Sequence, residues 1–107
     1  MVIKQYSIYW CNLNPSIGSE INKARPCLVI SPNEMNRNIN TIIIAPITKT
    51  INAYPTRISI QLEGKNGAIV LDQLITLDKS RFKGYINKLN NKQILAVKAK
   101  IKEMLVD

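Results

Sequence analysis

The sequence predicts a mainly β fold of the α+β class: a small, strongly curved antiparallel sheet, in effect a half-barrel, packed by a C-terminal helix. Three observations carry this expectation. Short apolar runs rich in β-branched residues dominate the first three quarters of the chain. Polar stretches containing Pro, Asn or Gly separate them. Near the C-terminal end the apolar residues change from a strand-like to a helical period.

The elements follow in order. Residues 6–12 alternate well enough for a strand, and residues 26–30 (PCLVI) read as a short buried one. Residues 41–47 (TIIIAPI) give the strongest strand signal, because Thr and three consecutive Ile prefer extended backbone. In residues 56–62, Ile58, Ile60 and Leu62 alternate with Arg57, Ser59 and Gln61. Asn66-Gly67 is a favoured hairpin turn pair and is expected to lead into a strand over 68–74. Residues 14–24, 32–40 and 49–55 read as loops. In the last stretch Ile94, Val97, Ile101, Met104 and Leu105 fall on one helix face, with Lys92, Lys98, Lys100 and Lys102 largely off it. Asn90 is the expected N-cap, with Gln93 three residues on as in a capping box. Five or six short strands in so few residues imply the half-barrel.

A chain of 107 residues, 46% of them hydrophobic, has room for one domain with one modest core. Its N-terminus shows no apolar signal region, and no apolar run approaches membrane-spanning length. The expectation is a soluble cytoplasmic protein without a membrane partner. The net charge of +8 favours polyanions, although the Ile, Asn and Lys bias of AT-rich coding would also produce it. Between Lys79 and Lys102 every charged residue is basic. Cys11 and Cys27 form no CxxC pair, and the chain has no His, so no zinc site of the usual Cys/His kind is available. Both cysteines read as buried small apolar side chains in a reducing compartment, with a disulfide as the second option.

The same composition narrows the chemistry. Without His, RNA cleavage by two imidazoles is excluded, as is any Ser–His or Cys–His nucleophile pair. The seven carboxylates are scattered rather than clustered as a two-metal nuclease requires. No glycine-rich phosphate loop is present. No cofactor and no metal are expected. Catalysis would rest on Arg, Lys, hydroxyls and a lone carboxylate, a set suited to phosphate chemistry, where charge stabilisation and positioning do most of the work.

The ordered blocks Ile8-Tyr9-Trp10, Leu13-Asn14-Pro15, Gly18-Ser19-Glu20 and Arg25-Pro26-Cys27-Leu28-Val29-Ile30-Ser31-Pro32 resemble the opening of the MazF/PemK toxins. The likeness continues through Asn36-Arg37, Ala45-Pro46-Ile47-Thr48, Pro55-Thr56-Arg57, Leu71-Asp72-Gln73 and Thr76-Leu77-Asp78-Lys79. The resemblance implies one toxin domain over 1–107, with the SH3-like barrel shared with CcdB-type toxins. It also implies a homodimer and a MazE/PemI-like antitoxin with an acidic, disordered tail. The implied activity is a metal-independent, sequence-specific endoribonuclease. It would cut single-stranded RNA through the ribose 2′-hydroxyl, leaving a 2′,3′-cyclic phosphate and a 5′-hydroxyl.

By the same resemblance Arg25 and Thr48 carry catalysis. Arg25 ends a polar loop just before a buried strand, so it can fork to two phosphate oxygens from a rigid base and stabilise the phosphorane. Thr48 can bond a non-bridging oxygen or hold the 2′-hydroxyl in line. Ser19, Glu20, Asn33, Asp72 and Gln73 are the candidate substrate-binding residues, and Glu20 and Asp72 are also the candidate general bases. Three positions depart from relatives: Ser19 stands where some have His, Val70 where some have Arg, and Ile75 where an Arg is widespread. Two alternative functions are a CcdB-like poison of DNA gyrase and a non-catalytic RNA-binding module. Against the first, the chain ends on a helix rather than in an aromatic Trp-Gly-Ile-type terminus. Against the second, its aromatics are few for base stacking and several are expected in the core.

Overall fold

A computed structural model describes residues 1–13, 24–49 and 54–107. Its organising strand is the Ile-rich segment. β3 (Thr41–Thr48) follows β1 (Ser7–Asn12), β2 (Ala24–Val29) and a short helix, α1 (Asn33–Asn38). β4 (Arg57–Leu62), β5 (Lys65–Val70), β6 (Ile75–Asp78) and β7 (Phe82–Lys88) come next, and α2 (Asn91–Ile101) packs last. All pairings are antiparallel, in the order β4-β5-β3-β2-β1-β7. β6 joins off this path through β3. Three strands therefore share β3. β2 takes one edge of it, while β6 (from Thr41 to Ile44) and β5 (at Ile47 and Thr48) take the other in succession. Pro46, with no N–H to donate, falls in the gap between those two stretches.

Because β3 is covered on both faces, its neighbours divide into two cores. Ile8, Leu28, Ala45, Ile47, Ile60, Ile69 and Leu71 form one with Leu89 and Val97. Tyr9, Cys11, Cys27, Val29, Ile42, Ile44 and Phe82 form the other. The curved antiparallel sheet and the C-terminal helix are those read from the sequence, with seven strands where five or six were expected.

The helix is the element most fully legible beforehand. Asn90 Oδ1 accepts from the Gln93 N–H at 2.8 Å, and Gln93 Oε1 accepts from the Asn90 N–H at 2.9 Å, completing the capping box. Val97 is fully buried, and Ile94, Ile101 and Met104 lie half-buried against the first core. Leu105 departs from the expected face and is 63% exposed, in the π-helical turn over Lys102–Val106 that rotates the last residues off the helical stripe.

The other departures have local causes. β1 begins at Ser7 because Tyr6 takes a left-handed φ of 63°, held by its N–H to Val29 O at 2.8 Å and by Leu89 N–H to its carbonyl at 2.9 Å. Within residues 32–40, read as a loop, α1 forms beside buried Ser31 and Asn36. Ser31 Oγ donates to Asn36 Oδ1 at 2.6 Å, and Asn36 Nδ2 donates back to Ser31 O at 2.9 Å. β7 escaped the period-two reading because two bulges interrupt its pairing with β1 and bring Phe82 and Tyr85, three apart, both against Tyr9.

The hairpin expectation is corrected. The turn is Glu63-Gly64, with φ of 51° and 78°, and Asn66-Gly67 lies inside β5. Both dipeptides suit a primed turn, so burial decides between them. The observed register sets Ile58 opposite Ile69 and Ile60 opposite Gly67, which keeps Ile58, Ile60 and Ile69 on the core with α2.

Leu28, the penultimate residue of β2, is fully buried. Leu28→Ala is expected to destabilise the fold by about 2–5 kcal/mol through lost transfer energy and a residual cavity. The check is the urea midpoint at unchanged slope; a shift within error of zero would contradict the assigned core.

Candidate active site

Arg25 and Thr48 are far apart in sequence and lie on the paired strands β2 and β3. Cys27 pairs with Pro46, Leu28 with Ala45 and Val29 with Ile44. The ladder ends at Cys27–Pro46, and continued by two residues it would set Arg25 opposite Thr48. Strand alternation puts both on the face that holds Cys27, Val29, Ile42 and Ile44. Arg25 is exposed at the start of β2 and Thr48 is half-buried at the end of β3. An always-charged fork and a hydroxyl thus stand at one rim of a rigid double-edged sheet, a pairing suited to a phosphate group.

The backbone at Thr48 is held closely from the other side. Thr48 pairs with Ala68, and a Cβ added at Gly67 would lie 3.1 Å from Thr48 O and 3.5 Å from Ile47 Cγ2. Glycine at 67 therefore lets β5 seat against the strand end that presents Thr48.

Beneath Arg25 on the same face, Cys11 and Cys27 are free and fully buried, as read from the sequence. The Cys27 thiol beside it, and burial, push the Cys11 thiol well above its ordinary value. The Cys11 thiol therefore stays protonated at neutral pH and offers no nucleophile.

Asp72 sits in the 3-10 turn Leu71–Gln73 after β5, inside a network. The Thr56 hydroxyl donates to its Oδ1 at 2.9 Å, and Arg57 Nε lies 3.5 Å from the same oxygen. Arg57 Cζ in turn stands 4.7 Å from the centre of the Tyr54 ring. Arg57 pairs with Val70, and Ala68 links Ser59 to Thr48, so alternation places Arg57 on the same sheet face as Thr48. Gln73 is exposed at the end of the same turn.

The remaining candidates fall elsewhere. Asn33 lies beyond the opposite end of β2 from Arg25, where its Oδ1 accepts from the Gln5 N–H at 2.8 Å. Ser19 and Glu20 lie outside the described residues. Among the described residues no three Cys, Asp or Glu side chains gather as a metal-binding cluster. No described helix is long and apolar enough to cross a membrane. Two shallow clefts, of about 210 and 520 Å³, share Ile60, Gln61 and Gln93 near the start of α2, and neither is lined by Arg25 or Thr48. Sequence reasoning had assigned no role to Tyr54 or Arg57. The signal available was the Pro55-Thr56-Arg57 block, whose value depends on Asp72 being folded back beside it.

With this geometry in place, comparison with known proteins is informative. Residues 4–105 match the family described as PemK-like, MazF-like toxin of type II toxin–antitoxin system. The chain is similar to Endoribonuclease EndoA of Bacillus subtilis (strain 168), at 33% identity over 100 residues, covering 88% of this chain and 86% of that protein. It is similar to Endoribonuclease MazF of Staphylococcus epidermidis at 32% over 102 residues, covering 90% and 85%. A MazE–MazF crystal structure from Deinococcus radiodurans superposes with a TM-score of 0.83 at 25% identity, covering 98% of this chain and 96% of that one. A mycobacterial endoribonuclease in complex with its cognate antitoxin shares the fold at a TM-score of 0.81 and 20% identity, covering 96% and 94%.

The Thr56 hydroxyl first, then the Asp72 backbone N–H and Arg57, hold the Asp72 carboxyl below the ordinary carboxylate value. Its stabilising contribution is present above the unfolded value, near 4, and is lost as pH falls through the lower folded one. Solvent screening keeps the effect small, since a third of the side chain is exposed. Between about pH 5 and 2, wild type is expected to lose more stability than Asp72→Asn. Parallel urea midpoints across that window would refute the assigned network.

Proposed function

The chain belongs to the PemK-like, MazF-like toxin family of type II toxin–antitoxin systems, and from that premise we propose that it is an endoribonuclease that cuts single-stranded RNA at specific sequences without a metal. The observation that supports this reading is that Arg25 and Thr48 extend beyond the same end of the β2–β3 ladder, on the face that carries Cys27, Val29, Ile42 and Ile44. The ribose 2′-hydroxyl attacks the adjacent phosphorus and gives its proton to a base, and the bond to the 5′-oxygen breaks as that oxygen takes up a proton from water. The products are a 2′,3′-cyclic phosphate and a 5′-hydroxyl. Arg25 stabilises the charge that grows on the non-bridging oxygens, and a guanidinium does so without exchanging a proton at neutral pH. Thr48 holds a phosphate oxygen or the 2′-hydroxyl in line. Glu20 and Asp72 are the two candidate proton acceptors; Asp72 Oδ1 is engaged by Thr56 and Arg57.

The same reading makes residues 1–107 one toxin domain that works as a homodimer. β4 and β7 end the strand order, and Trp10, Ile75 and Tyr85 expose large apolar surface, all of which pairing would help cover. An antitoxin with an acidic, disordered tail is the fitting regulator, because the chain's excess of 15 basic over 7 acidic residues rewards charge-assisted contacts. At micromolar concentration, sedimentation is expected to give the dimer mass; a monomer mass independent of concentration would contradict it.

Purified protein incubated with a long RNA is expected to cut in EDTA and to leave 5′-hydroxyl ends that polynucleotide kinase labels directly. Arg25→Ala is expected to lower the rate at least about 10²-fold, the usual scale for one transition-state stabiliser. Arg25→Lys restores part of it, since a point charge cannot make the same fork. An Arg25→Ala protein that folds and cuts at the wild-type rate would overturn the site, and retarded RNA with no cuts by wild type would favour a binding module.

A further inference from the structure

We infer that Tyr54, Arg57 and Asp72 form a nucleobase subsite beside the cleavage centre, with one base of the RNA stacked on Tyr54 and its amino-bearing edge at Asp72. The inference rests on the cleavage reading above and adds the recognition element and the class of base it takes. Tyr54 is 54% exposed and belongs to neither core. Arg57 occupies one face of its ring at 4.7 Å. An aromatic ring has two faces, and the base would stack on the one that Arg57 does not occupy.

Arg57 is a fixed support rather than a reaching cation. Its side chain is 16% exposed, braced between the Tyr54 ring and Asp72. Its Nε is buried and, among the described residues, has no aligned hydrogen-bond acceptor, the Asp72 oxygen standing at 3.5 Å. That leaves the group one interaction short in a place that already orients an exposed aromatic. An isolated surface stack of this kind stabilises a fold only modestly.

The neighbourhood fits a single strand. Arg57 shares its sheet face with Thr48 and stands two strands away across β5 and two residues along, about 12 Å at ordinary strand spacing and rise. Between them, on that face, lie Ala68 and Val70, both buried and apolar.

Asp72 sets the base class. Pinned through Oδ1 by Thr56, it is ionised at neutral pH and can only accept hydrogen bonds. Adenine, cytosine and guanine each offer an exocyclic amino donor. Uracil offers a single N–H flanked by two carbonyl oxygens, which a carboxylate repels. The subsite therefore selects amino-bearing bases over uracil at one position near the cut.

The test uses the whole protein on a randomised RNA library, with cut sites mapped by sequencing, and KM and kcat measured on one preferred RNA. Wild type is expected to disfavour uracil at one fixed position near the cut. Tyr54→Leu is expected to raise KM at least about fivefold, with kcat changing less. Tyr54→Phe keeps the ring and is expected to return KM towards wild type. Asp72→Asn restores a donor and is expected to admit uracil at that one position, leaving the preferences elsewhere in place. An uncleavable 2′-deoxy-substituted RNA carrying 2-aminopurine at the position should lose fluorescence on binding wild type, and less on binding Tyr54→Leu. If Tyr54→Leu and Asp72→Asn, folded by circular dichroism, keep wild-type KM and base frequencies at every position, the subsite is refuted while the cleavage reading stands. Failure of wild type to cut any RNA would refute the cleavage reading, and the subsite with it.

Discussion

The rest of the structure depends on β3 being hydrogen-bonded along both edges and buried on both faces. A strand in that position cannot slip by one residue without moving every Ile to the wrong core. Ile42 and Ile44 belong to the core that contains Tyr9, Cys11 and Phe82, whereas Ala45 and Ile47 belong to the one covered by α2. The register with β2 on one side, and with β6 and then β5 on the other, is thereby locked. Everything proposed for the rim of the sheet inherits its position from that lock.

Thr48 shows how the constraint reaches the surface. It is the last residue of β3, where a strand would ordinarily fray. Pairing with Ala68 and the close seating of β5 at Gly67 hold its backbone instead. Arg25 gains the same benefit from β1, since it pairs with Cys11, whose fully buried side chain leaves little room for adjustment. Two polar groups are presented by backbone that the cores restrain, which is the arrangement that avoids reorganisation when charge develops at a bound phosphate. The Thr56–Asp72–Arg57–Tyr54 network plays a related part on β4, fixing exposed groups through neighbours rather than through burial.

Composition and local pattern determined a great deal. The Ile-rich run, the alternation at Ile58, Ile60 and Leu62, and the Asn90/Gln93 capping box each reflect interactions among residues close in the chain, so each is visible in one dimension. Absence of His and scattering of the carboxylates are likewise properties of the string alone, and they narrowed the chemistry before any fold was known. The ordered motif blocks marked Arg25 and Thr48, although nothing in the residues themselves said that the two would meet.

What only the tertiary structure decided depends on choices between locally equivalent options, or on contacts across the sheet. Glu63-Gly64 and Asn66-Gly67 are both good turn pairs, and the packing of Ile58, Ile60 and Ile69 against the helix side selected the first. β7 was hidden because bulges break the period on which strand reading relies, and α1 because buried hydrogen bonds between Ser31 and Asn36 accompany a helix in a segment with loop-like composition. The placing of Arg25 and Thr48 beyond one end of the β2–β3 ladder, and the folding of Asp72 onto Thr56 and Arg57, relate residues 15 or more positions apart. Short-range preferences set which segments become strands and helix; which side chains share a face is settled only when the hydrophobic cores choose a single register.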